Sequence, residues 1–193
     1  MSTDESTAKE KIFLAAMELV AEGKTEQQIT TREIASKAGV NLALVNYYYR
    51  SKENLLSEVV GTMMGDIIEQ SGQNNRLDSD PETRLKNMLL ETADTAFKYH
   101  NICKIAISLE LKSGCGNSCK MVIPLLREIF TDCDESELNI IALQLMIPFH
   151  HIVLKPELYG RYLNTDFFDE KKRKQTINQM VDCILFKRIK EEK

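Results

Sequence analysis

Apolar residues recur three and four positions apart along nearly the whole chain, and only eight glycines and four prolines punctuate its 193 residues. No stretch alternates with a convincing period of two, so the backbone must satisfy its hydrogen bonds inside helices and the chain is expected to be all-α. About nine helices are predicted. The first, over 8–22, places Ile12, Ala15, Ala16, Leu19 and Val20 on one face, with Gly23 to end it. Thr30-Thr31-Arg32-Glu33 has the form of a capping box and opens a short helix. Ala38-Gly39-Val40 is a tight turn, Asn41 an N-cap for a third helix, and Ser51 an N-cap for a fourth. Residues 70–80 read as the longest loop, and Asp80-Pro81-Glu82 restarts a helix to about Tyr99. Another follows over 101–112. Asn117 or Ser118 caps the next, and Asp134 with Glu137 forms a second box before the stripe 138–152, with Pro148 as a kink. Pro156 and Gly160 mark a connector, and the last helix starts near Asp166.

The composition, 43% hydrophobic and 28% charged, fits one or two folded domains with a proper core. No apolar run approaches the roughly 18 residues of a membrane-spanning helix, and the first residues lack the basic and apolar regions of a leader, so a cytoplasmic location without membrane partners is expected. Five cysteines are too few and odd for a disulfide scaffold. The formal net charge of -4 argues against coating nucleic acid by bulk charge. Locally the balance differs: residues 30–56 hold Arg32, Lys37, Arg50 and Lys52 against Glu33 and Glu53, an excess of +2.

The stretch 31–50, TREIASKAGVNLALVNYYYR, meets the requirements of a helix-turn-helix. Ala35 is small where two helices cross, Gly39 supplies the positive φ of the turn, and Ile34, Ala38, Val40, Val45 and Tyr48 provide the contacts between them. At 100° per residue Val45, Tyr48 and Tyr49 share the inner face of the second helix, while Ala43, Asn46 and Tyr47 lie opposite with Leu42 and Leu44 on the flanks. The outer face suits a major groove. Asn46 can pair with an adenine edge, Leu42 or Ala43 can touch a thymine methyl, and the hydroxyl of Tyr47 or Tyr48 can bond a phosphate. Further phosphate positioning is expected from Thr31 at its helix N-terminus, from Arg32, and from Lys52.

An amphipathic helix followed by ITTREIASKAGVNLALVNYYYRSKENLL resembles the DNA-binding domain of the TetR family of transcriptional regulators. The carrying residues are Thr31, Ile34 to Val40, Tyr47-Tyr48-Tyr49 and Arg50 to Leu56, with Asn46-Tyr47 similar to the family's Asn-Tyr variant of the recognition helix. The resemblance implies a DNA-binding domain over 1–56 and a regulatory, ligand-binding and dimerisation domain over 57–193. It implies a homodimer on a palindromic double-stranded DNA operator, with repression the expected sense, released by a small-molecule effector. Pocket candidates are Met63, Ile67, Met88, Thr92, Phe97, Phe130, Met146, Phe149 and His150. Dimer candidates are Leu138, Ile141, Leu145 and Ile152 with Ile177, Val181, Ile184 and Leu185, internal core being the alternative.

No nucleophile elbow, phosphate loop or His-carboxylate ligand spacing occurs, so no enzyme, cofactor or metal site is expected. A helical adaptor remains the other reading. So does a thiol-based sensor, on the ground that Cys115 and Cys119 as exposed thiols near a helix N-terminus would be acidified. The run Lys171 to Lys174 reads as a solvated helix face.

Overall fold

The computed structural model describes the backbone of residues 3–74 and 80–189, and the side chains of 7–66 and 80–185. Among the described residues there are ten helices and no strand: α1 (Thr3–Ala21), α2 (Thr31–Ala38), α3 (Leu42–Tyr49), α4 (Lys52–Asn74), α5 (Pro81–Lys98), α6 (His100–Lys112), α7 (Gly116–Ile129), α8 (Glu135–Leu154), α9 (Pro156–Leu163) and α10 (Glu170–Ile189). The expected all-α class holds. The additional helix is α9, over the segment expected to be a connector, with Pro156 at its first position, where a missing N–H costs nothing. Three boundaries also differ. Helix α4 continues to Asn74, so 70–74 is not loop, and 75–79 lie outside the described residues. Helix α7 is entered through Cys115 instead of Asn117 or Ser118, and α10 begins at Glu170.

The chain divides into two compact units, residues 1–63 with 99–109, and 64–98 with 110–193. In the first, α1 buries Ile12, Ala15, Ala16, Leu19 and Val20 as its spacing predicts. Ile34 and Ala35 of α2, Val45 and Tyr49 of α3, and Leu55, Leu56, Val59 and Val60 of α4 complete this core. Each fully buried aliphatic side chain contributes about 1.5–3 kcal/mol relative to exposure. Gly39 ends α2 at φ 66, ψ 34, its N–H on the Ser36 carbonyl and the Val40 N–H on the Ala35 carbonyl. That pair of bonds is a Schellman closure, and its left-handed residue explains the glycine.

In the second unit α5 presents Leu85, Met88, Leu89, Thr92, Ala93, Ala96 and Phe97 inward, an apolar stripe of helical period against α7 and α10. Helix α8 packs on α7, α9 and α10. It starts with a complete capping box, Asp134 accepting from the Glu137 amide at 2.9 Å and Glu137 from the Asp134 amide at 3.0 Å. By length and composition α8 could cross a membrane, which no run of its sequence suggested. Half of its apolar window is buried inside the protein, as in a core helix.

The C-terminal end of α9 is held by a close backbone approach. The Thr165 amide donates to the Gly160 carbonyl at 2.9 Å, and a Cβ on Gly160 would stand 2.8 Å from the Thr165 carbonyl oxygen. Gly160→Ala is therefore expected to destabilise the protein by about 1–3 kcal/mol through overpacking against rigid backbone. Gly61→Ala, in α4 with nothing within 4 Å, should be neutral or stabilising. Equal denaturation midpoints for the two variants would contradict this account.

Candidate nucleic-acid interface

The frame of α2 and α3 is fixed by local chemistry. Thr30, one residue before the expected Thr31, is the N-cap of α2, its hydroxyl accepting from the Glu33 amide at 3.1 Å. The Glu33 carboxylate turns chiefly to Lys24, at 2.5 Å, which holds its pKa below the ordinary range. Thr31 is the first helical residue and half-buried, and Arg32 beside it is exposed. Asn41 caps α3 by accepting from the Ala43 amide at 2.9 Å, so its side chain is already engaged.

Helix α3 buries Val45 and Tyr49 and leaves Leu42, Ala43, Asn46 and Tyr47 exposed. Tyr47 is 72% exposed, its ring edge-on to Tyr48 at 5.1 Å, a contact that narrows the orientations it samples. Tyr48 is half-buried, not a core residue as its place on the helical wheel predicts. Tyr49 donates its hydroxyl to the Lys9 carbonyl at 3.1 Å, and burial pushes its pKa up to about 12, so it remains a donor at any physiological pH.

Arg50 follows at φ 63, ψ -39, an unusual conformation for a residue with a side chain. Its N–H bonds the Asn46 carbonyl at 2.9 Å, and the Ser51 N–H bonds the Tyr49 carbonyl at 2.7 Å, a γ-turn between recognition helix and α4. Arg50 is exposed and continues the spacing Ala43, Asn46, Tyr47, Arg50 along the outer face. It was not among the expected DNA contacts, although one more step of the same helical wheel reaches it.

Folding redistributes the local charge. Lys37 is held by Glu22 at 2.8 Å and Glu18 at 3.1 Å, both from α1. The Lys52 ammonium, expected to face a phosphate, donates to the Glu26 carbonyl at 2.8 Å and lies 3.3 Å from its carboxylate. Arg32 and Arg50 are exposed, and no described carboxylate pairs with either. The excess of +2 counted along 30–56 thus resides in two arginines.

The remaining candidates lie in the second unit, apart from Met63, half-buried at the end of the first. Met88, Thr92, Phe97, Phe130, Met146, Phe149 and His150 are all buried, and Ile67 is outside the described side chains. Thr92 satisfies its hydroxyl on the Met88 carbonyl at 2.7 Å. A groove of about 420 Å³ beside α9 is lined by Gly160, Arg161, Asn164, Phe168 and Lys172 among others, none of them an expected pocket residue.

Seven of the eight dimer candidates, Leu138, Ile141, Leu145, Ile152, Ile177, Val181 and Leu185, are buried within the single chain, and Ile184 is half-buried. The apolar side chains that α8 leaves exposed are Ile140, Leu143 and Ile147, on its other face.

The acidified-thiol argument fails on geometry. Cys115 and Cys119 are 2% and 7% exposed, and burial, with the nearby Glu110 carboxylate, pushes both thiols up. The α7 amides of Asn117 and Ser118 are taken by Glu110, each at 2.9 Å. The solvated reading of Lys171 to Lys174 also fails at Arg173, which is buried against Asp94.

Comparison with known proteins agrees with this geometry. Residues 12–59 match the model of the bacterial regulatory proteins of the tetR family. No curated protein sequence matches the chain. Among solved structures, Thermus thermophilus FadR, a TetR-family transcriptional repressor in complex with lauroyl-CoA, is 18% identical with a TM-score of 0.66, covering 89% of this chain and 93% of that one. A TetR transcriptional regulator from Rhodococcus sp. RHA1 is 17% identical with a TM-score of 0.66, over 94% of this chain and 97% of that one. FadR from Bacillus subtilis in complex with stearoyl-CoA is 14% identical with a TM-score of 0.59, over 91% and 96%. The fold is therefore a TetR-like N-terminal helix-turn-helix domain followed by a C-terminal helical domain.

Proposed function

We propose that this chain is a ligand-responsive transcriptional regulator of the TetR type with the Asn-Tyr form of recognition helix. It acts as a repressor in the cytoplasm, its reading domain ending near residue 56. The observation that carries the reading is the exposed face of α3. Asn46 and Tyr47 stand out from a helix capped at both ends and anchored by buried Val45 and Tyr49, with the unpaired cations Arg32 and Arg50 close in sequence. Such a face has no internal task and matches the donor and acceptor pattern of a major groove.

A single reading head covers one half-site, so the protein works as a homodimer on a palindromic double-stranded operator, with recognition helices roughly 34–36 Å apart. Ile140, Leu143 and Ile147 at positions i, i+3 and i+7 of α8 supply an apolar stripe for a second copy to cover. A small molecule taken up by the C-terminal domain releases the DNA through its different affinity for the bound and free conformations. Because two structurally similar proteins are described with acyl-CoA, lauroyl-CoA and stearoyl-CoA are the first effectors to try.

Selection of bound fragments from random duplex DNA tests the reading. A dyad-symmetric consensus is expected, and its absence would overturn the proposal. On that consensus Asn46→Ala should lose about 1–3 kcal/mol of discrimination at one base pair of each half-site, while binding to random DNA is unchanged.

A further inference from the structure

Cys115 sits at φ 60, ψ 18, a left-handed conformation uncommon for a residue with a side chain, between Gly114 and Gly116. Its side chain is carried into the interior of the second unit, where Sγ lies 3.5 Å from Nδ1 of His150 on α8. Cys119 follows one helical turn on, its amide bonded to the Cys115 carbonyl at 3.1 Å, and it too is buried. All three groups lie within the electrostatic reach of Glu110. Neither the DNA-reading face nor any expected pocket role accounts for two thiols and an imidazole gathered in this way.

We propose that Cys115, Cys119 and His150 form a seat for a thiophilic divalent cation, zinc in the first instance. A tetrahedral zinc with Zn–S about 2.3 Å and Zn–N about 2.05 Å separates sulfur from nitrogen by about 3.5 Å, the separation found between Cys115 and His150. Among the described residues no three such side chains already stand in metal-holding positions, so the ion draws Cys119 in by rotation of its side chain. The balance is simple. One Zn²⁺ forms two Zn–S bonds and one Zn–N bond, two S–H bonds break, and two protons leave to solvent. Two thiolates cancel the charge of the ion, so the complex is neutral, as a buried site requires. A buried imidazole is neutral at physiological pH, which is the ligand form, and the fourth position accepts water.

The inference does not rest on the DNA-binding reading. Its test is a titration of the reduced full chain with cobalt(II) and then zinc(II). One cobalt per chain is expected, with thiolate-to-metal charge transfer and the visible bands of a tetrahedral ion, displaced by zinc with release of two protons. Zinc should slow alkylation of Cys115 and Cys119 by about tenfold or more, because only the free thiolate reacts, and leave the exposed Cys183 unaffected. Cys115→Ser and His150→Gln should each lower cobalt affinity at least about tenfold, and Cys183→Ser should not. An octahedral cobalt spectrum, or equal alkylation of Cys115 and Cys119 with and without zinc in the unmodified protein, would overturn the site whether or not the variants fold.

Discussion

Arg50→Ala is expected to weaken binding to specific and random duplexes alike by about tenfold at moderate salt, and to reduce the slope of log K against log salt by about one per subunit. The reason is the distribution of partners in the reading head. Lys37 is neutralised by Glu18 and Glu22, and Lys52 by Glu26, whereas Arg50 is exposed at the end of the recognition helix with no described carboxylate beside it. A cation already paired inside the protein gains little from a phosphate, because it must break the pair to make the contact. Lys52→Ala should therefore act mainly on stability, by about 1–2 kcal/mol for the loss of a charge-assisted bond to the Glu26 carbonyl. Its salt slope should stay near that of the unmodified protein. Filter binding or fluorescence anisotropy across a salt series separates the two variants. A slope lowered by Lys52→Ala and untouched by Arg50→Ala would reverse the assignment and restore Lys52 as the phosphate contact.

Arg173→Ala is expected to cost about 3 kcal/mol of stability, toward the lower end for breaking a buried ion pair, since a third of the Asp94 side chain remains in water. The guanidinium is 6% exposed and makes a set of contacts no other side chain could reproduce. Its Nε and Nη2 donate to Asp94 Oδ1 at 3.1 and 2.5 Å, and Nη1 donates to the Phe167 carbonyl at 2.8 Å. Its plane also lies over the Phe97 ring at 5.1 Å. These contacts join α5, the segment before α10, and α10 itself. Lysine, a point charge without the planar fork, should recover only part of the loss. Denaturant unfolding of the full chain measures it, with exposed Lys172→Ala as the control expected within about 0.5 kcal/mol of the parent. A loss below about 1 kcal/mol for Arg173→Ala would show that burial at this point is compensated elsewhere.

Much of the framework was legible because its causes are local. The cap of Asn41, the glycine turn at Gly39 and the box of Asp134 with Glu137 each depend on residues within four positions of one another. Helix α9 escaped notice because Gly160 and Pro156 read as breakers. Yet Pro156 occupies a first turn where it is harmless, and Gly160 is required by the approach of the Thr165 carbonyl. Helix α8 illustrates a different difficulty. It is apolar on two faces, Leu138, Ile141 and Leu145 on one and Ile140, Leu143 and Ile147 on the other, and periodicity alone cannot say which one the chain keeps for itself.

By itself the amino-acid order settled the all-helical class, the helix-turn-helix and the outward set of Asn46 and Tyr47, because helical period and capping are properties of neighbouring residues. Which charges stay available, which α8 face stays outside, and that Cys115 meets His150 came only with the assembled chain. Lys52 and Glu26 are 26 positions apart, Cys115 and His150 35, and Arg173 and Asp94 79. Burial and ion pairing at such separations follow from how helices pack, a long-range outcome that no local pattern encodes.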